Sequence, residues 1–345
     1  MPALQIRRLD AADGADMDGF QDVYAAAELA EDPDAALYSR ADGISILTAA
    51  GSRFGEGYGA FVDGRMVGEL LLTGELPDSL RVLRVWLWVT PSHQRRGVGT
   101  ALAAYADDRA RALGRTVLHS QARIGADRDN GNRRFAERVG FALANTEIER
   151  RLPLPADPAL LDRLAAEAAP YHHDYRIVAA VGPVPAELAP SYVALKNLME
   201  LQMPSGDLEV EEGRETAADI ARQDRELTRA GRTRVAAYAL DPAGAVVAYA
   251  VAASSNADHD HVDQWGTLVH PSHRGHRLGM AVKCAQLRAL TEAMADKRFI
   301  ETTNAETNTH MVAINQALGF EVVQVYGDFQ KRLTLAGRSR HATTT

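Results

Sequence analysis

The chain has 345 residues, of which 46% are hydrophobic and 24% are charged. This length predicts two domains, or one large one, with enough apolar residues for each half to bury a core. The formal net charge of -8 argues against a nucleic-acid or anionic-membrane partner, because such binding relies on clustered Lys and Arg. The single cysteine, Cys284, excludes an intramolecular disulfide, and we expect a buried structural thiol there.

Targeting and metal signals are absent from the sequence. The N-terminus has no basic segment followed by an apolar one, and no apolar run approaches the roughly 18 residues of a membrane span. We therefore expect a cytoplasmic protein. His172, His173 and Asp174 stand together but lack the spacing of metal ligands, so no metal is expected.

Apolar alternation and turn residues predict alternating strands and helices in both halves. The first half gives a strand at 5–9, an Ala-rich helical region to about 40, a hairpin of 58–62 and 66–72 turned at Asp63-Gly64, a strand at 81–89, a glycine loop, a helix at 99–113, a strand at 116–120, a helix at 130–139 and closing strands at 141–154. The second half gives a strand at 175–181, helices at 186–201 and 215–230, a hairpin of 234–240 and 246–253, a strand at 261–270, a second such loop, a helix at 279–295, a strand at 299–303, a helix at 308–318 and closing strands.

The two loops align without gaps and reveal an internal repeat. They read Val89-Thr90-Pro91-Ser92-His93-Gln94-Arg95-Arg96-Gly97-Val98-Gly99 and Val269-His270-Pro271-Ser272-His273-Arg274-Gly275-His276-Arg277-Leu278-Gly279. Each follows an apolar run that carries tryptophan, and each is later followed by a Gly-Phe pair, at 140–141 and 319–320. We predict an α/β protein of two tandem copies, each with a mixed central sheet flanked by helices.

Proline residues mark the seam between the copies. We predict an N-terminal domain at 1–154, a linker at 155–174, a C-terminal domain at 175–337 and a flexible tail at 338–345. The expected oligomeric state is a monomer with an internal pseudo-dimer, or a weak homodimer.

A strand that leads through glycines and arginines into a helix is suited to binding an anion. The free N–H groups and the dipole of a helix N-terminus favour negative charge, and glycines let the backbone approach phosphates. Neither loop has the Gly-Lys-Ser/Thr ending of a P-loop or the G-x-G-x-x-G of a Rossmann fold. A tight turn with solvated arginines is the alternative for one such loop taken alone.

The segment Gln94-Arg95-Arg96-Gly97-Val98-Gly99 resembles the Q/R-x-x-G-x-G/A signature of the GNAT superfamily of N-acetyltransferases. Asn132 and the following Gly-Phe pair resemble a later motif of that family, as do Asn308 and its Gly-Phe pair. The whole chain resembles tandem-domain members, such as mycothiol synthases and actinobacterial biosynthetic acetyltransferases. The resemblance implies acetyl-CoA as acyl donor.

The resemblance also implies which residues contact the donor. Its pyrophosphate would lie on the loop amides, and its pantetheine arm would lie along the central strand, where a backbone N–H would polarise the thioester carbonyl. By motif position these residues are Leu87, Val89, Gln94, Arg95, Arg96, Gly97, Val98, Gly99 and Asn132 in the first copy, and Leu268, Val269, Arg274, Gly275, His276, Arg277, Leu278, Gly279 and Asn308 in the second.

The chain departs from the family where a Tyr often protonates the leaving thiolate. Those positions, five residues before each Phe, hold Ala136 and Asn315. A general base must also deprotonate the acceptor. The central strand of the first copy offers no acid, whereas Asp263 and Glu301 on strands of the second copy are the candidate catalytic residues.

Two classes of function follow from these observations. The first is an N-acetyltransferase that acts on a primary amine of a small molecule, such as a biosynthetic intermediate, an amino sugar or an antibiotic. The second is a non-catalytic acyl-CoA-binding or regulatory protein, which the two missing tyrosines favour. Which copy is catalytic stays open, although the acids favour the second copy and the better loop belongs to the first.

Overall fold

The computed structural model describes residues 3–33, 35, 37–49, 53–75, 81–210, 213–256 and 260–334. The chain forms two compact units, and each is assembled from segments that are not contiguous in sequence. Unit 1 comprises the described residues of Met1–Ala122, Gly131–Ala144 and Asp328–Thr345, and unit 2 comprises those of Arg123–Asn130 and Asn145–Gly327.

The elements of the first copy are β1 (Gln5–Arg8), α1 (Gly14–Glu31), α2 (Arg40–Leu47), β2 (Arg53–Val62), β3 (Arg65–Glu75), β4 (Val82–Val89), α3 (Val98–Ala112), β5 (Val117–Arg123), α4 (Gly131–Arg138) and β6 (Ala142–Pro153). Those that follow are α5 (Pro158–Ala168), β7 (Arg176–Val181), α6 (Ala189–Asn197), α7 (Met199–Gln202), α8 (Ala217–Arg229), β8 (Arg232–Leu240), β9 (Val246–Ser255), β10 (His261–Val269), α9 (Leu278–Ala293), β11 (Phe299–Ala305), α10 (Thr309–Ala317) and β12 (Glu321–Arg332).

The sheet of unit 1 has the strand order β1-β2-β3-β4-β5-β12, and residues 328–332 supply its last strand. Strands β1 to β4 pair antiparallel, and β4 pairs with β5 in parallel. On one face α1 buries apolar side chains, among them Met17 and Phe20, together with Leu71 of β3. On the other face α3 lies so close that a Cβ at Gly68 would stand 2.8 Å from Val98 Cγ1.

The sheet of unit 2 repeats this plan with the strand order β6-β11-β10-β9-β8-β7. The β10–β11 pair is parallel, and the other pairs for which we give registers are antiparallel. One face packs against α6 and α8 through a cluster that includes Tyr192, Ile220 and Tyr249. The other face packs against α9 through Leu278 and Val282.

Local chemistry explains where several elements begin and turn. Ser39 and Thr216 start α2 and α8 as capping boxes, in which the side chain accepts from the third helical N–H and the acidic residue there binds back. The β2–β3 turn has φ of 49° at Asp63 and 77° at Gly64, the left-handed pair that a two-residue hairpin turn requires. The hairpin predicted at Asp63-Gly64 is confirmed.

The closing strand of each copy lies in the unit of the other copy. Residues 145–153 of β6 follow the first copy in the chain but belong to unit 2, where β6 pairs with β11, and residues 328–332 of β12 belong to unit 1. The predicted fold of two tandem copies with mixed sheets is confirmed. The domain boundaries at 154 and 175 stay a prediction. They divide the chain by its sequence repeat, whereas the two units divide it by packing.

The segment predicted as a linker contains α5 and a short 3-10 helix, Ala169–Tyr171. The predicted tail, 338–345, lies outside the described residues. Within the described part of the chain, none of the helices combines the length and the apolar character that a bilayer span requires.

Candidate active site

The first glycine loop leads directly into α3. After a 3-10 helix at Pro91–His93, Arg95 has φ of 61° and Gly97 has φ of 89°, so the chain turns through two left-handed residues before α3 begins at Val98. No side chain caps this helix, so its first N–H groups stay available to a ligand. Apart from its two chain neighbours, no described residue has an atom within 4 Å of where a Cβ at Gly97 would stand, which leaves space for an anion.

The second loop has the same backbone shape with the residue types exchanged. Here the glycine is at the first left-handed position, Gly275 with φ of 86°, and the arginine is at the second, Arg277 with φ of 50°. Arg277 stands at the N-cap of α9, again without a side-chain cap. The arginine found where the family has glycine therefore does not abolish the turn.

The basic side chains of the two loops differ in their partners. Within the described residues, Arg95 and Arg96 make no hydrogen bond or ion pair, and both are exposed. In the second loop, the Arg277 guanidinium donates to the Glu167 carbonyl at 3.0 Å and lies 4.2 Å from the centre of the Tyr171 ring. The first loop is thus free to bind an anion, whereas the end of α5 and the residues after it engage the second.

Two further contacts tie down the second loop. His276 Nδ1 lies 3.0 Å from the Tyr171 carbonyl oxygen, and the Tyr175 ring lies 5.2 Å from the His276 ring. Arg274 donates to Gln202 Oε1 at 2.9 Å. An anion at this loop would compete with partners that already occupy its basic side chains.

The remaining predicted donor-binding residues of the first copy surround the start of α3. Val98 and Val89 are buried, so only their backbone groups can meet a ligand. A Cβ at Gly99 would stand 3.2 Å from the Phe135 ring and 3.7 Å from Leu87 Cδ2, which shows how closely α4 and β4 approach this turn. The Asn132 side chain instead donates to Glu31 Oε1 at 2.9 Å.

The corresponding residues of the second copy take part in core packing and helix capping. Leu268 and Leu278 are buried, and Val269 packs against the α9 cluster. A Cβ at Gly279 would stand 3.0 Å from Ile314 Cδ1, and Asn308 caps α10 through its side chain.

The central strand parts from its parallel neighbour in both units. The β4–β5 pairing covers only 82–84 of β4, so residues 85–89 have no partner on that side. The β10–β11 pairing covers only 261–263, and the rest of β10 is unpaired there. Each gap exposes backbone N–H and C=O groups to an extended ligand, as the resemblance implies.

A bulge distinguishes the two central strands. The register of β10 with β9 shifts between Gln264 and Gly266, which leaves Trp265 unpaired and 43% exposed. The Gln264 side chain donates to the Val251 carbonyl at 2.8 Å and so fills part of the irregularity. The β3–β4 register is regular through 68–73 and 84–89.

The two predicted catalytic acids stand side by side in unit 2. Asp263 and Glu301 are register partners of the β10–β11 pair. Asp263 accepts from Arg232 at 2.6 Å, and Glu301 accepts from Arg151 at 2.7 Å. Partial desolvation raises the pKa of Asp263 despite the opposing effect of Arg232, while 40% of its side-chain surface stays exposed. Their catalytic role stays a prediction, and each must give up an arginine to act on an amine.

The positions of the missing tyrosines have different roles in the fold. Asn315 is fully buried; its Oδ1 accepts from Lys283 Nζ at 2.7 Å, and its Nδ2 donates to Asn304 Oδ1 at 2.6 Å. Burial lowers the pKa of Lys283 to about 7. Ala136, half-buried on α4, offers no proton donor in unit 1.

Sequence reasoning missed an acid on the strand next to the first central strand. Glu69 of β3 is completely buried and stands opposite Trp88 of β4. Antiparallel pairing of β3 with β4 could have indicated this acid, because Glu69 then lies on the same face of the sheet as Trp86 and Trp88. Among the described residues, no group of three or more His, Cys, Asp or Glu side chains is arranged as a metal site.

Comparison with known proteins relates this geometry to a family. Residues 18–141, from within α1 to the Gly-Phe pair before β6, match the model described as the acetyltransferase (GNAT) family. This segment therefore resembles a GNAT domain. Among solved structures, a tandem GNAT protein from the clavulanic acid biosynthesis pathway is 27% identical, with 97% of this chain and 100% of that chain covered and a TM-score of 0.76.

Two further structures share the fold at lower identity. A GCN5-related N-acetyltransferase from Sphaerobacter thermophilus is 14% identical over 95% of each chain, with a TM-score of 0.63. A GCN5-related glucosamine N-acetyltransferase region of a fungal multi-domain GH3 β-N-acetylglucosaminidase is 13% identical, with 96% of this chain and 38% of that chain covered and a TM-score of 0.65. A search of curated protein sequences found no match. The tandem GNAT fold expected from the sequence is thus confirmed.

Proposed function

We propose that the protein is an acyl-CoA-dependent N-acyltransferase, which moves the acetyl group of acetyl-CoA to a primary amine of a small molecule. The observation that carries this proposal is the open loop before α3, beside the unpaired part of β4. The tandem GNAT neighbour from the clavulanic acid biosynthesis pathway supports a small-molecule acceptor.

The first loop suits the donor pyrophosphate on three counts. The N–H groups at the start of α3 have no side-chain cap, Gly97 leaves open space, and the guanidinium groups of Arg95 and Arg96 have no protein partner among the described residues. A helix N-terminus and charge-assisted hydrogen bonds from arginine both favour phosphate oxygens.

The gap between β4 and β5 suits the acyl-bearing arm. Backbone N–H groups within 85–89 lack a strand partner on the β5 side, so one of them can donate to the thioester carbonyl. Such a donor is most effective when it is fixed before the reaction, as it is in a sheet.

We therefore propose unit 1 as the donor-binding unit. The alternative from the sequence, with Asp263 or Glu301 as base in unit 2, requires the donor to displace the contacts of Glu167 and Tyr171 with Arg277. A second candidate function, acyl-CoA binding without catalysis, is favoured by Ala136 and by the buried Asn315, since neither position supplies a phenol.

Calorimetric titration of acetyl-CoA tests the proposal. We would compare the unmodified protein with Arg96→Glu in the first loop and with the same charge reversal, Arg274→Glu, in the second loop. The native protein should bind, Arg96→Glu should weaken binding by about tenfold or more through charge reversal, and Arg274→Glu should leave it unchanged.

Each other outcome changes a specific part of the proposal. No binding by the native protein would refute acetyl-CoA as donor. Loss in Arg274→Glu alone would move the donor to unit 2. Binding without CoA release in the presence of any amine would favour the non-catalytic alternative.

A further inference from the structure

Glu69 carries a buried carboxyl group that has no partner in the described part of the fold. Glu69 has no exposed surface, and neither of its oxygens has a hydrogen-bond partner among the described residues. Burial, with a smaller contribution from the charge of Glu28, holds the pKa of Glu69 well above its ordinary value. Leaving a buried carboxylate unmatched is costly, so such groups in native proteins are commonly retained for a ligand or for catalysis.

Aromatic rings lie on the same face of the sheet as Glu69. Trp88 stands opposite Glu69 across the β3–β4 pair, and Trp86 lies two residues away with its ring 6.3 Å from that of Trp88. Tyr24 of α1 meets the Trp88 ring edge-on, with ring centres 5.2 Å apart. These faces carry negative electrostatic potential, which attracts cations.

A second carboxylate closes the cluster from α1. Glu28 Oε1 accepts from Trp88 Nε1 at 2.6 Å, and the charge of Glu28 acts on Glu69. The two acids and three rings therefore form one negatively polarised group, which we call the Glu69 cluster: Tyr24, Glu28, Glu69, Trp86 and Trp88.

The Glu69 cluster lies where an acceptor would have to approach. Trp86 and Trp88 belong to the part of β4 that has parted from β5, and they face α1 rather than α3. A donor bound from the α3 loop along this gap would present its acyl group to β4, and the cluster covers the opposite face of that strand segment.

We infer that the Glu69 cluster binds the acceptor as a protonated primary amine on an apolar stem, and that Glu69 takes its proton. The inference rests on the proposed acyl transfer. An ammonium would match the two acidic groups and lie against the ring faces, and the stem would pack on the half-buried rings of Trp86 and Trp88. An amine beside a carboxylate or phosphate of its own would be repelled, so the site disfavours amino acids and phosphorylated amines.

The reaction balances with these groups. The Glu69 carboxylate accepts one proton from the ammonium, which frees the nitrogen lone pair. The nitrogen forms a bond to the acyl carbon, the carbon–sulfur bond breaks, and the second nitrogen proton goes to the thiolate. Glu69 then returns its proton to solvent, so an ammonium and a thioester become an amide, a thiol and one proton.

Tryptophan fluorescence tests binding directly, because the protein has three tryptophans and two of them belong to the cluster. In a Trp265→Phe background, only Trp86 and Trp88 emit. Butylamine at pH 7 should change this emission in a saturable way, whereas butan-1-ol and β-alanine should not. Turnover is followed as CoA released from acetyl-CoA with butylamine as acceptor.

Glu69→Gln is the decisive variant, with Asp22→Asn as the matched control for an exposed carboxylate of α1. Glu69→Gln should lower kcat/KM for butylamine by at least about 100-fold, because it loses both the charge and the base. It should keep acetyl-CoA binding and should melt close to the native protein, since the amide has the shape of the unpartnered carboxyl group that it replaces. Asp22→Asn should behave like the native protein.

Glu28→Gln gives an independent reading if Glu69→Gln does not fold. It keeps an acceptor for Trp88 Nε1 but removes the charge, so KM for butylamine should rise about tenfold with kcat less affected. Unchanged kinetics in either variant would overturn the inference, as would equal use of butylamine and β-alanine. Failure of the native protein to bind acetyl-CoA would instead refute the proposed function.

Discussion

The amine of Lys283 lies fully buried in unit 2, where it bonds to Asn315. Burial lowers its pKa from 10.5 to about 7. Between these values the unfolded chain holds a proton that the folded chain has released, so stability rises with pH. Below pH 7 both states are protonated, and the full cost of burying the ammonium is present.

Lys283→Met should remove this dependence. From pH 7 to pH 8.5, the free energy of unfolding should rise by about 2 kcal/mol more in the native protein than in the variant. Urea unfolding at the two pH values measures the difference. The window ends there because burial also raises the pKa of the neighbouring Cys284 thiol from 9.0 to about 11, and this thiol offsets the Lys283 effect at pH values above 9.0. Parallel pH profiles would contradict the prediction.

Residues such as Lys283 and Glu69 mark the limit of sequence analysis. A Lys in a helix and a Glu in a strand are ordinarily solvated. One sequence cannot show that other elements pack over the face on which such a residue lies. Asp263 and Glu301 were identified because they stand on the strands where the family carries its base, but their arginine partners come from distant positions, 232 and 151.

A half-buried ion pair on α3 helps to anchor this helix to the sheet of unit 1. Arg109 binds both oxygens of Glu56, at 2.6 and 2.7 Å, and Tyr58 donates to Glu56 as well. These contacts, led by the Arg109 bond, hold the pKa of Glu56 below its ordinary value. The pair fixes the helix whose N-terminus forms the proposed donor site.

Arg109→Ala should lower the free energy of unfolding by about 3 kcal/mol, because it leaves a buried carboxylate without its main partner. Arg111→Ala on the same helix is the control: its partner Asp108 is 81% exposed, and the loss should stay below about 0.5 kcal/mol. Denaturant unfolding of both variants checks this, and equal effects would refute the anchoring role of Arg109.

The order of strands, helices and turns could be predicted from the sequence because hydrophobic periodicity and turn residues are local signals. The glycine loops show the limit of such prediction. Compared with the family signature, Arg277 replaces a glycine. In the structure, however, each loop has one arginine and one glycine at its two left-handed positions, and the order in the second loop is the reverse of that in the first. The backbone shape is kept, at a cost of about 1–2 kcal/mol for a non-glycine residue.

The exchange of closing strands is a property of the whole molecule that local patterns do not encode. Both β6 and β12 read as strands, and nothing in their alternation specifies the edge they join. Contacts inside unit 1 show what residues 328–332 contribute: Lys331 donates to Asp107 at 2.7 Å and to the Val139 carbonyl at 2.6 Å, and Gln330 lies 3.0 Å from His119.

Separating the copies should therefore disable both. Fragments 1–154 and 155–345, expressed alone, should lack a cooperative thermal transition, because each loses a strand of its own unit and exposes a sheet edge. Co-expressed, they should reassemble and bind acetyl-CoA by calorimetry. A fragment 1–154 that melts cooperatively and binds acetyl-CoA by itself would show that β6 can replace residues 328–332.

The place of residues 328–332 also governs when the protein matures during synthesis. Domains usually fold in order as they leave the ribosome, N-terminal first. Here the first unit waits for residues that are translated after nearly all of the second copy, so β5 keeps an open edge until residues 328–332 have been made. A chain cut short before residue 328 would keep both loops but leave the proposed donor unit incomplete. The tandem arrangement thus makes translation through residue 332 a condition for completing the unit that is begun first.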